Sequence, residues 1–121
     1  MTTAHVDTDR VERYYRLVDA DDVDGLLDLF APEAVYCRPG YEPFVGRDAL
    51  RAFYEGDRVI ESGRHTVDHT VVGPESVAVH GRFEGTLRDG STASLRFADF
   101  FTFADDGRFA TRDTFFFAPL V

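Results

Sequence analysis

The chain has 121 residues, enough for one buried core and too few for a separate cofactor domain. Its 44% apolar and 29% charged residues are those of an ordinary globular protein, and no apolar stretch approaches membrane-spanning length. The formal charge of −9 repels phosphate backbones and anionic membranes, so neither nucleic acid nor a membrane surface is an expected partner.

In chain order, Met1-Thr2-Thr3-Ala4-His5 shows neither a basic n-region nor an apolar h-region, which predicts a cytoplasmic protein. Residues 8–20 open on Thr8 or Asp9 as cap and carry Val11, Tyr14, Tyr15 and Val18 at helical spacing. Asp19, Asp21, Asp22 and Asp24 follow as a solvated turn that caps the next helix. That helix is predicted over Val23–Phe30 and stops at Ala31-Pro32, where the residue before proline disfavours helical dihedrals. Ala34–Cys37 reads as a short strand ending at the turn Arg38-Pro39-Gly40. Its Cys37 is the sole cysteine, so an intrachain disulfide and a thiolate cluster are excluded, and core packing is expected. A third helix spans about Asp48–Val59, with Leu50, Phe53 and Tyr54 inward.

From Arg64 the apolar period drops from 3.6 to 2. Thr66–Val72, Ser76–Leu87, Thr92–Phe103 and Arg108–Phe117 read as four strands, punctuated by Gly73-Pro74, Asp89-Gly90 and Asp106-Gly107. Asp-Gly between apolar alternations signals a hairpin. Three helices followed by an antiparallel meander is α+β, as one domain over 1–121: helices packed on a curved, mainly antiparallel sheet that encloses a pocket.

Register decides which side chains share the concave face. With Asp89-Gly90 as the central pair of a two-residue turn, Asp99 opposes His80 and Phe97 opposes Arg82. With Asp106-Gly107 as a second such pair, Asp99 opposes Thr114. One face then carries His80, Arg82, Glu84, Leu95, Phe97, Asp99, Phe101, Arg112, Thr114 and Phe116. Val77, Val79, Phe83, Phe100 and Phe115 fall on the other face, an apolar surface that predicts a homodimer. The alternative three-residue loop Asp105–Gly107, with Gly107 left-handed, would set Asp113 against Asp99; the two-residue turn avoids that repulsion and is preferred.

Asp99 stands mid-strand among Arg96-Phe97-Ala98 and Phe100-Phe101, a position that usually excludes aspartate. Two readings stand: a carboxylate paired with Arg82 or Arg112, or a desolvated acid able to donate a hydrogen bond. His80 is a candidate general base, with Glu84 behind it, because imidazole titrates near neutrality. Arg38, Arg82 and Arg112 could clamp a carboxylate or simply offset the acidic surface. His65 and His69, placed on one side of their strand, are ~13 Å apart and cannot share an ion. No metal site and no cofactor are expected. The polar side chains assigned to the pocket favour a small organic ligand, polar or anionic.

With Tyr14, the helix stop and Asp99 in place, the chain resembles the ketosteroid isomerase and SnoaL-like polyketide cyclase branch of the nuclear-transport-factor-2-like superfamily. Glu12-Arg13-Tyr14, Val23-Asp24-Gly25-Leu26, Leu29-Phe30-Ala31, Val45-Gly46-Arg47, Phe53-Tyr54 and Asp99-Phe100-Phe101-Thr102-Phe103 carry the resemblance over nearly the whole chain. It implies Tyr14 as an oxyanion-hole tyrosine, Asp99 as a protonated acid and Tyr54 as the tyrosine supporting the first. Phe53, Phe97, Phe101 and Phe116 would line the pocket. The isomerases' general-base aspartate is replaced by Arg38, which cannot act as a base at any working pH. The resemblance therefore implies an isomerase, aldol cyclase or dehydratase that stabilises an enolate, or else a non-catalytic binding or dimerisation module on the same fold.

Overall fold

The computed structural model describes residues 6–117; the stretch Met1–His5, read above as lacking a leader, lies outside the described residues. Helix α1 (Thr8–Asp19) is capped by Asp7, whose side chain accepts from the Arg10 N–H at 3.0 Å. Its buried face is Val11, Tyr14, Tyr15 and Val18, as the spacing predicts. Helix α2 is only Val23–Leu27, capped by the Asp22 carboxylate on the Gly25 N–H. The predicted continuation to Phe30 is corrected: Phe30 already opens strand β1 (Phe30–Cys37). Pro32 is tolerated there because β1 is irregular between Phe30 and Val35, so the missing donor falls where the ladder is broken.

A two-residue strand β2 (Phe44–Val45), absent from the expected elements, pairs with β1. Gly46, at φ 86°, turns the chain into helix α3 (Arg47–Ala52), which continues as a π-helical turn, Phe53–Asp57. The Arg47 guanidinium donates twice to the Phe30 carbonyl, at 3.1 and 2.6 Å, and so ties α3 to the start of β1. Strands β3 (Ile60–Val72), β4 (Ser76–Leu87), β5 (Thr92–Phe103) and β6 (Phe109–Phe116) complete the sheet, β3 beginning six residues earlier than expected. The strand order is β2-β1-β6-β5-β4-β3, antiparallel except for β1 beside β6, which are parallel. The helices cover the inner face, where the Tyr14 ring meets Phe30, Phe101 and Phe109 edge-on at 5.8 to 6.1 Å.

Both hairpins use three-residue loops rather than the two-residue turns expected. In the first, Leu87 N–H bonds the Ser91 carbonyl at 2.8 Å and Gly90 sits at φ 88°. In the second, Ala104 N–H bonds the Arg108 carbonyl at 2.7 Å with Gly107 at φ 86°. Both have a left-handed glycine closing the loop. The consequences differ. In the first hairpin the one-residue slip turns β4 over, so that Val79 faces Asp99 and His80 faces Ala98. In the second, an irregularity between Thr102 and Phe103 restores the phase, and Asp99 opposes Thr114 as predicted.

The slip corrects the expected faces. Val77, Val79 and Phe83 point into the core, whereas His80, Arg82 and Glu84 lie on the outer face. A bulge between Val67 and His69 turns β3 over as well. His65 therefore points inward, and His69 stacks on His80 outside, ring centroids 5.3 Å apart. These two histidines do not share one side of the strand. Cys37 is half-buried rather than in the core.

Candidate functional site

On the inner face of the sheet, lined by strand residues and the connections between them, lies a cavity of about 260 Å³. One side is apolar, built by Ile60, Phe83, Leu87, Leu95, Phe97 and Phe116. The polar groups on its wall are Arg38, His65, Arg112 and Thr114, from the end of β1, from β3 and from β6, with the Tyr41 ring at the β1–β2 connection. Strand pairing puts Tyr36 beside Arg112 and Cys37 beside Asp113, so Arg38 and Arg112 share one wall.

His65 is held from behind. Its Nδ1 lies 2.6 Å from Asp19 Oδ1 and its backbone N–H donates to Asp19 Oδ2 at 2.8 Å. Asp19 ends α1, so the helix terminus and the strand are locked together through this carboxylate. The imidazole is packed between Tyr15, Phe83 and Phe97, with centroids 4.7 to 5.4 Å away. Burial pushes its pKa below the ordinary 6.5, and the hydrogen bond and charge of Asp19 oppose that only in part. The ring is therefore neutral at pH 7. With Asp19 accepting from Nδ1–H, Nε2 keeps its lone pair, on a ring that lines the cavity.

Behind the cavity floor is a buried polar network. Asp99 has no solvent exposure and accepts from the Tyr15 hydroxyl, the Thr114 hydroxyl and Arg112 Nη2, the last at 2.9 Å. Arg112 Nη1 donates to the Tyr14 hydroxyl at 2.5 Å and to that of Tyr54 at 3.3 Å, and the two tyrosine hydroxyls bond each other. Its guanidinium carbon also lies 4.6 Å from the Tyr14 ring centroid and 4.5 Å from that of Tyr36. Burial opposes the charge on Arg112, but Asp99 and the surrounding tyrosines hold its pKa well above the usual guanidinium value. Burial likewise raises the phenols of Tyr14, Tyr15 and Tyr54, so all three are neutral.

The sequence-predicted candidates thus separate into three groups. Arg38, Phe97, Arg112 and Phe116 line the cavity. Tyr14, Tyr54, Asp99, Phe53 and Phe101 are buried beside it: Tyr14, Tyr54 and Asp99 in the network around Arg112, Phe53 under the Arg38 guanidinium at 5.5 Å, and Phe101 against Tyr14. His80 and Arg82 are not at the cavity; His80 stacks on His69, and Arg82 forms two 3.0 Å bonds to Asp68 outside. The expected pair of neutral donors, Tyr14 and Asp99, is replaced by an Arg112–Asp99 ion pair whose tyrosines face the guanidinium. Asp19 and His65 escaped the sequence reading because they are 46 residues apart, one assigned to a solvated turn and the other paired with His69. No local signal marks the pair: Asp19 ends the first helix, and only the bulge in β3 brings His65 inward to meet it.

A family model described as a SnoaL-like domain matches residues 11–112. Among solved structures, an NTF2-like protein of unknown function from Burkholderia pseudomallei superposes with a TM-score of 0.82 at 24% identity, covering 91% of this chain and 89% of that one. SalBIII, an epoxide hydrolase/cyclase-like enzyme in pyran ring formation in the polyether salinomycin, superposes at 0.80 with 24% identity over 91% and 89%. TerC, co-crystallised with polyporic acid, does so at 0.80 with 21% identity over 91% and 90%. None of the curated proteins matches the chain.

Proposed function

This chain belongs to the SnoaL-like domain family, of nuclear-transport-factor-2-like fold, and on that premise we propose that its cavity holds a small carbonyl compound on which His65 acts as general base and acid. The observation that carries this reading is the Asp19–His65 pair: a neutral imidazole, oriented by a carboxylate, on the wall of a largely apolar cavity. The base that Arg38 cannot supply at the end of β1 is supplied from β3 instead. Nε2 removes a proton from the carbon beside the carbonyl and returns it elsewhere on the substrate, or to a leaving hydroxyl. The resulting imidazolium is stabilised by Asp19, in the manner of a base held by a third group.

Negative charge that develops on the carbonyl oxygen meets the fixed positive charge of Arg112 in an apolar, low-dielectric surround. Tyr14, Tyr54 and Asp99 are positioning residues in this scheme, since each bonds the Arg112 guanidinium. Isomerisation beside a carbonyl, aldol cyclisation and dehydration of a β-hydroxycarbonyl all pass through such an enolate; the cyclase-like enzyme among the structural neighbours supports a small-molecule pocket on this fold. We also place a second copy of the chain on the outer sheet face, where Phe100 and Phe115 stand about half exposed and in edge-to-face contact at 5.8 Å.

Proton exchange on a plain ketone tests the chemistry without the natural substrate. With 2-tetralone in D2O, the protein should accelerate loss of the α-proton signal in the NMR spectrum. His65→Gln should lower that rate by about 10²–10⁴-fold, the usual worth of a general base. Exchange at the buffer rate while 2-tetralone is bound would refute the reading.

A further inference from the structure

The charge distribution around the cavity is opposite to that of the chain. The sequence has 22 acidic residues against 13 arginines, yet the described residues lining the cavity include two arginines and no aspartate or glutamate. Arg112 is matched by Asp99 beneath it. Arg38 is not matched: among the described residues no carboxylate lies within ion-pair distance of its guanidinium. It is held by neutral groups instead. Nη1 donates to the Tyr36 hydroxyl at 3.2 Å, and the guanidinium carbon lies 5.5 Å from the Phe53 ring centroid and 5.0 Å from that of Phe116. Two aromatic faces and a phenol fix the fork in place without cancelling its charge, which is the preorganisation a planar carboxylate needs.

Arg112 contributes a second feature. Its Nε is buried and has no hydrogen-bond partner among the described residues, whereas Nη1 and Nη2 both bond oxygens. Native proteins leave few buried donors unsatisfied; of the two among the described residues, Arg10 Nε and Arg112 Nε, only the second belongs to a residue on the cavity wall, where a ligand oxygen can complete it. Arg38 is joined to the Arg112–Asp99 pair through neutral oxygens: the Tyr36 hydroxyl contacts Arg38 on one side and Thr114 Oγ1 on the other at 3.2 Å, and Thr114 donates to Asp99. One cation therefore remains for the ligand on this wall.

From these observations we infer that the substrate is an organic monocarboxylate with a compact apolar body, its carboxylate bound by Arg38 and its carbonyl directed between Arg112 and His65. This inference rests on the small-molecule reading of the cavity and adds the substrate's charge and size. One unmatched positive charge favours a monoanion over a phosphate dianion. A cavity of about 260 Å³ falls just below the range of drug-sized pockets, which begins near 300 Å³, so a one- or two-ring acid fits and a tetracyclic skeleton does not. The apolar body lies against Leu87, Leu95 and Phe83, opposite the arginine wall.

The test compares 2-naphthoate with 2-naphthamide, which has the same shape and no charge, by fluorescence or calorimetric titration at pH 7. The acid should bind the wild-type protein at least about tenfold more tightly than the amide, and added salt should narrow the gap. Arg38→Gln should level the two affinities. Equal affinities in the wild-type protein, tighter binding of the amide, failure of both to bind at millimolar concentration, or a preference that survives Arg38→Gln would each overturn the inference. The wild-type ratio decides alone if the variant does not fold. Because ketone exchange uses a neutral probe and reads His65, it can succeed where the carboxylate preference fails, and the reverse.

Discussion

Replacing Asp99 by asparagine separates the two roles that a carboxyl group in this position could have. In the structure it is a fully buried acceptor of three hydrogen bonds and the counter-ion of Arg112, itself only 4% exposed. Asparagine keeps one acceptor oxygen, brings an NH2 group toward donors that need acceptors, and leaves a buried guanidinium unmatched. Removing one member of a buried ion pair costs about 3–5 kcal/mol, against a total of roughly 5–15 kcal/mol for a domain of this kind. Urea denaturation at pH 7, extrapolated linearly, should show a loss of that size. Adding Arg112→Met removes the stranded cation and should recover part of the loss, with a coupling of about 1–3 kcal/mol between the two sites. A fall of less than about 1 kcal/mol for Asp99→Asn, together with altered ligand affinity, would show a ligand-facing acid and refute the ion-pair account.

Two further predictions concern acid and association. Because the folded His65 holds its proton less tightly than the unfolded chain, the unfolded state binds more protons below the ordinary 6.5, so stability should fall as pH drops through that value and on through the lowered folded-state pKa. His65→Gln should flatten this part of the curve relative to wild type, as read by urea midpoints between pH 7 and pH 5; an unchanged slope would mean that the ring does not titrate as a buried neutral group. Sedimentation of the wild-type chain should give twice its 13.6 kDa mass, and Phe100→Glu with Phe115→Glu should return the single-chain value; a 13.6 kDa species for the wild type at micromolar concentration would exclude pairing.

What could be read along the chain was whatever nearby residues decide between themselves. The stripe of Val11, Tyr14, Tyr15 and Val18, the period-2 strands after Arg64 and the glycine-closed hairpins are local preferences, and they suffice for an α+β chain with helices on a curved sheet. The site was legible in part, because Arg38, Phe97, Arg112 and Phe116 reach the cavity from elements the sequence places correctly. Asp99 opposes Thr114 as expected, although only because two local departures, a longer loop and a strand irregularity, cancel. The tertiary structure alone decided the rest. Asp89-Gly90 fits a two- or a three-residue loop, and the difference of one residue moved His80 and Arg82 from the cavity to the outside. The bulge near Asp68, which separates His65 from His69, is a shift in the pairing of β3 with β4 that puts the two rings on opposite faces. The parallel pairing of β1 with β6 and the bond from Asp19 to His65 join segments that share no local signal. They form only when burial of the common apolar core brings those segments together, so the candidate base comes from tertiary packing and not from a motif.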